Sequence, residues 1–81
     1  MNAREIIKAV AKTNIQYVED GDLGRRPSFE EMAEQVAFCC FSAPYIEVEV
    51  DDRCFEVPAS EELYRLGFEG VCEVLRELKY Q

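Results

Sequence analysis

Read for its alternation of apolar and polar positions, the chain divides into five segments. Ile6, Ile7, Val10, Ala11, Asn14, Tyr17 and Val18 recur at helical spacing and give a first helix, from about Ala3 to Glu19, one apolar face. Asn2, with Glu5 three residues on, supplies a capping box for its start. Asp20-Gly-Asp-Leu-Gly24 is loop chemistry, so residues 20–27 read as a connection. Ser28 and Glu31 form a second capping box and open a helix over 29–41. Its stripe is Phe29, Ala33, Val36, Ala37 and Cys40, broadened by Met32 and Cys39, with Phe38 and Phe41 adding apolar surface elsewhere. A helix apolar nearly all round in its last turns suits a central position, or contact with a partner. Ser42-Ala-Pro44 ends it, because proline cannot continue the helical ladder.

The period then changes from helical to two. In Tyr45–Val57, YIEVEVDDRCFEV, Ile46, Val48 and Val50 alternate with Glu47 and Glu49, and Phe55 and Val57 alternate with Cys54 and Glu56. This predicts a hairpin of strands 45–50 and 54–58, with apolar residues inward and acids outward. No Asn-Gly or Asp-Gly marks a primed turn, so two registers stay open. A four-residue loop pairs Val50 with Phe55 and Glu49 with Glu56. A tight turn at Asp51-Asp52 pairs Val48 with Phe55 and Glu47 with Glu56. Either one sets Glu56 opposite another glutamate, an arrangement that costs stability.

Ser60 caps a third helix over 61–79, with Glu61 and Glu62 in its first turn, where acids suit the helix dipole. Tyr64, Phe68, Val71, Leu75 and Leu78 form the expected core stripe. Gly67 and Gly70 interrupt it. They fit one helix with a soft middle, or a break near Gly67. The order α-α-β-β-α predicts a single α+β domain spanning 1–81, a hairpin packed on helices. Glutamates along the open strand edges discourage unwanted pairing, which leaves a monomer or a homodimer.

Composition narrows what such a domain can do. An 81-residue chain has one marginal core, burying about 60% of the surface it exposes unfolded. Seventeen acids against nine bases, and no histidine, give a net charge of −8. That argues against direct binding to nucleic-acid phosphates or anionic lipid and favours a basic protein partner. The imbalance is local: residues 45–62 carry −6 and residues 63–81 carry zero. Arg4, Lys8 and Lys12 fall four apart on the first helix and read as a solvated face, or as partners for acids of the same fold or a second copy. Arg25-Arg26 beside the second helix start suggests a phosphate site or a basophilic kinase motif ending at Ser28. Glu30 and Glu31 oppose the former, and the capping role of Ser28 opposes the latter.

Cys39, Cys40, Cys54 and Cys72 lack both a Cys-x-x-Cys spacing and histidine, so they read as free thiols packed as small apolar groups. The start MNAREIIKAV lacks the apolar run of a signal peptide, and no stretch is long enough to span a membrane. A reduced, cytoplasmic protein is expected. Without histidine the usual base for a serine or cysteine nucleophile is missing, and no calcium loop or P-loop occurs. No catalytic residue, metal ligand or cofactor is assigned, and the protein is expected not to be an enzyme.

Two roles remain. In the first, Glu47, Glu49, Asp51, Asp52, Glu56, Glu61 and Glu62 present carboxylates to a basic, nucleic-acid-binding surface of a target protein, making the chain an inhibitor. In size and charge, though through no motif, it resembles the small acidic anti-defence proteins of phages, including DNA mimics and anti-CRISPR proteins. In the second, Phe38, Phe41, Tyr45 and, further along, Tyr80 bind a partner as an adaptor, chaperone-like subunit or antitoxin would, and the acids supply solubility.

Overall fold

Each helix begins where a polar side chain takes up a free backbone amide. In the computed structural model, which describes residues 1–21 and 24–81, Asn2 Oδ1 accepts from the Glu5 amide at 2.9 Å, and the Glu5 carboxylate accepts from the Asn2 amide. This starts α1, Ala3–Glu19. The same reciprocal pair between Ser28 and Glu31 starts α2, Phe29–Phe41. Ser60 Oγ accepts from the Leu63 amide to start α3, Glu61–Glu77. Each such cap contributes about 1 kcal/mol. Asp22 and Leu23, part of the loop predicted at 20–27, lie outside the described residues.

Between α2 and α3 stand β1, Tyr45–Val50, and β2, Arg53–Pro58, paired antiparallel. The register is the tight one, with Val48 opposite Phe55 and Glu47 opposite Glu56. Asp51 and Asp52 both adopt positive φ, 51° and 63°, which is the primed two-residue turn whose twist matches the strands. Aspartate tolerates this conformation better than most residues, so the turn forms without glycine. The Ala59 amide closes the base of the hairpin on the Pro44 carbonyl at 2.8 Å. The architecture is α+β, in the order α-α-β-β-α.

The core lies between the three helices and β1. Ile7, Val10, Met32, Val36, Ile46, Val48, Leu63, Val71, Val74 and Leu75 are buried together, and α1 and α2 pack on α3 and on β1. No helix backbone comes close to β2, which borders only β1. The inner row of the hairpin is therefore covered unevenly. Ile46 and Val48 are buried, while Val50 at the tip and Phe55 on the outer strand are partly exposed, contrary to a uniformly inward row.

The stripe predicted for the third helix also needs correction. Gly67 (φ 55°, ψ −160°) is not helical and divides α3 into two segments joined at a kink. Leu63, Val71, Val74 and Leu75 face the core, while Tyr64 and Phe68, on either side of the kink, are about half exposed. Gly70 serves a separate purpose. A Cβ there would sit 2.8 Å from Leu66 Cβ, so the turn after the kink closes tightly only around glycine.

The end of α3 is a Schellman motif, with the Tyr80 amide bonded to the Leu75 carbonyl and the Lys79 amide to the Arg76 carbonyl, both at 3.0 Å. Lys79 holds the left-handed position (φ 60°) that glycine usually takes. Lys79→Gly should raise stability by about 0.5–1 kcal/mol, read as a higher thermal midpoint, because a side chain with a Cβ is strained there.

Candidate functional site

The outward row of β1 does not face open solvent alone. Tyr45, Glu47 and Glu49 form one wall of a groove of 1090 Å³, whose other walls are Thr13, Asn14 and Tyr17 of α1 and Glu34, Gln35, Phe38 and Cys39 of α2. Ile46 and Val48 of the same strand are buried where β1 packs on both helices, and Tyr45, Glu47 and Glu49 belong to its other row. Val10 and Met32, both buried, also border it. Three aromatic side chains stand open along it: Phe38 is 69% exposed, Tyr45 59% and Tyr17 48%.

The polar chemistry of this groove is one-sided. Among the described residues, Glu34, Glu47 and Glu49 have no basic side chain within ion-pairing distance. Asn14 gives its amide N–H to the Val10 carbonyl at 2.9 Å, which leaves Oδ1 as an acceptor. Thr13 donates its hydroxyl proton to the Ala9 carbonyl. Among the described residues the lining has one cation, Arg25, which is bound through two hydrogen bonds of 3.1 and 2.6 Å to Glu31. That fork, and the capping bond from Ser28, hold the Glu31 carboxyl far below the usual range, at about 2. Acceptors dominate what remains.

Cys54 shares the groove. Its Sγ–H donates to Glu47 Oε1 at 2.9 Å, diagonally across the hairpin. The bond to Glu47 raises the thiol pKa, with partial desolvation and the charges of Glu47, Glu49 and Glu56 adding to it. Cys54 is exposed, a correction to the expectation of packed thiols, whereas Cys40 is buried and desolvation pushes its thiol up to about 12. Glu47→Gln should therefore speed alkylation of Cys54 several-fold near pH 8, and Cys40 should react only on unfolding; mass-resolved labelling separates the sites.

The seven acids singled out in the sequence do not form one patch. Glu47 and Glu49 line the groove, Asp51 and Asp52 make the hairpin tip, and Glu56 faces Glu47 across the ladder. Glu61 pairs with Arg65 at 2.9 Å on the first turn of α3, beside the exposed Glu62. Of the aromatic set, Phe38 and Tyr45 are open, but Phe41 packs on the core and against the Tyr64 ring, centroids 6.1 Å apart. Tyr80 is buried, so it presents no partner surface. Phe38 also shows that the last turn of α2 is not covered all round. Asn14 and Tyr17, which helical spacing places on the apolar face of α1, line the groove instead, as does Glu34, which the pattern does not single out.

Two of the three bases on the stripe of α1, Arg4 and Lys8, are occupied elsewhere. Arg4 pairs with Glu73 at 3.6 Å and with Glu77, and Lys8 pairs with Glu77 at 2.9 Å. These bases neutralise α3, not the hairpin. Among the described residues no three His, Cys, Asp or Glu side chains gather as metal ligands, and no helix is long and apolar enough to cross a membrane. The chain matches no protein-family model, no curated protein and no solved structure.

Proposed function

We propose that this domain works by binding rather than by catalysis, as an acidic inhibitor that docks its hairpin carboxylates on a basic, nucleic-acid-binding surface of a target protein in the cytoplasm. The observation that carries the reading is the row Glu47–Glu49, paired with no base among the described residues and set beside exposed Phe38 and Tyr45. A monomer pays for like charges on this face in stability, since Glu47 and Glu56 stand directly opposite each other. A basic partner relieves that repulsion on binding. Phage anti-defence proteins and DNA mimics supply a precedent in size and charge for such a role.

Capture from the source cell by wild type and by a variant with Glu47, Glu49 and Glu56 changed to lysine tests this at low and high salt. Wild type should retain a basic nucleic-acid-binding protein that the variant does not, and high salt should release it, because exposed charges are screened beyond about 8–10 Å. Equal, salt-insensitive capture by both proteins would reject the inhibitor. It would favour the adaptor reading, which the exposure of Phe38 and Tyr45 supports and which Phe38→Ala should then disable.

A further inference from the structure

We infer that the groove between β1, α1 and α2 receives an arginine side chain presented on a short extended segment of the protein partner. This rests on the acidic-inhibitor reading and goes past it, from a charged surface to a defined pocket and a defined side chain.

The argument starts from what the groove lacks. Its charged groups without an ion-pair partner among the described residues are carboxylates, those of Glu34, Glu47 and Glu49, with Asn14 Oδ1 beside them; the Tyr17 and Tyr45 hydroxyls and the Gln35 amide are neutral. Arg25, the one cation on its lining among the described residues, is already engaged by both carboxylate oxygens of Glu31. A ligand group that satisfies three carboxylates must be cationic and donate in several directions. Guanidinium has five N–H donors and no acceptor, whereas an ammonium offers three donors from a single point. The aromatic residues favour the same group. Tyr17, Phe38 and Tyr45 line the groove beside these carboxylates with much of their surface open. A planar, weakly hydrated guanidinium stacks on such rings, and an ammonium does so less well. The fold already contains this contact on another face, where Arg26 lies 4.5 Å from the centroid of the Tyr80 ring.

Size sets the rest of the occupant. A volume of 1090 Å³ is at the upper end of what small-ligand sites enclose, so it admits a segment of backbone with the side chain. Duplex or single-stranded nucleic acid is excluded by the sign of the walls, and a fatty or apolar ligand would leave the carboxylates unpaired.

The test titrates the isotopically labelled full chain with acetyl-Gly-Arg-Gly-Arg-Gly-amide and with the same peptide carrying citrulline for arginine, followed by amide chemical shifts. Arginine peptide should shift Asn14, Tyr17, Glu34, Phe38, Glu47 and Glu49 together, and the citrulline peptide should not. Phe38→Ala should weaken binding roughly two- to fivefold, the size of one exposed cation–π contact. Glu47→Gln with Glu49→Gln should weaken it at least about tenfold, as loss of charge-assisted bonds does. Glu61→Gln with Glu62→Gln, which removes as much charge outside the groove, should change it less than twofold. All these side chains are exposed, so the folded amide spectrum should be kept. Shifts spread over every acidic segment, with both double variants equally weak, would overturn the arginine pocket and leave the acidic inhibitor standing. No binding of the arginine peptide at low salt would also overturn the pocket. The capture experiment above then decides the inhibitor reading separately.

Discussion

Replacing Tyr80 with alanine is expected to destabilise the protein by about 3–5 kcal/mol, the usual range for deleting a buried aromatic. An 81-residue domain has a total stability of about 4–12 kcal/mol, so this variant should be close to unfolded at room temperature. The ring is only 3% exposed and follows the Schellman turn that ends α3. Its hydroxyl donates to the Pro27 carbonyl just ahead of α2, and Arg26 covers its face while donating from Nε to the Gln81 carbonyl at 2.8 Å. Alanine removes the packing, orphans the Pro27 carbonyl and frees Arg26 together. Tyr80→Phe keeps the packing and should cost roughly 1 kcal/mol, the worth of one hydrogen bond. Urea titrations of the three proteins measure both steps, and a cost for alanine below about 1 kcal/mol would show that residue 80 is not docked in solution.

The second large effect is expected at Gly67. Its backbone lies in a region that glycine alone occupies readily, and Gly67→Ala should cost about 1–3 kcal/mol. Nothing stands within 4 Å of where the new Cβ would go, so the penalty is backbone strain and not collision. A chemically synthesised chain with D-alanine at 67 separates the two causes. The D-residue accepts positive φ and should be at least as stable as wild type, and a D-variant as weak as the L-variant would argue against backbone strain as the cause. Gly70→Ala is the contrasting case, since there the Leu66 side chain blocks the Cβ and the backbone is unstrained. Thermal unfolding of the set checks the assignment.

These two glycines mark where reading the sequence succeeds and fails. The starts of the helices are legible because capping is local: Asn2, Ser28 and Ser60 act on amides three residues away. The α+β order follows from the switch between periods. Burial along α3 was legible only in part: Val71 and Leu75 are buried as the spacing requires, whereas Tyr64 and Phe68, on either side of the Gly67 kink, are about half exposed. Strand alternation likewise gives the two rows of the hairpin but not their depth. Phe55 shares a row with Val48 yet remains partly exposed, because β2 lies beyond the reach of the helices. The groove was half visible. Glu47 and Glu49 were readable as an outward acidic row, but Tyr17, Asn14 and Glu34 come from other elements and meet that row only in three dimensions.

The confinement of −6 of the −8 net charge to residues 45–62, with Arg4 and Lys8 held by α3, gives the molecule a permanent electric moment. In the field of a positively charged surface it experiences a torque as well as an attraction. If the hairpin docks on a basic partner as proposed, the torque turns it forward before contact, and a larger share of collisions arrives in the docking orientation. The benefit is kinetic, and dilute salt would reveal it as a fall in association rate with much less change in dissociation rate.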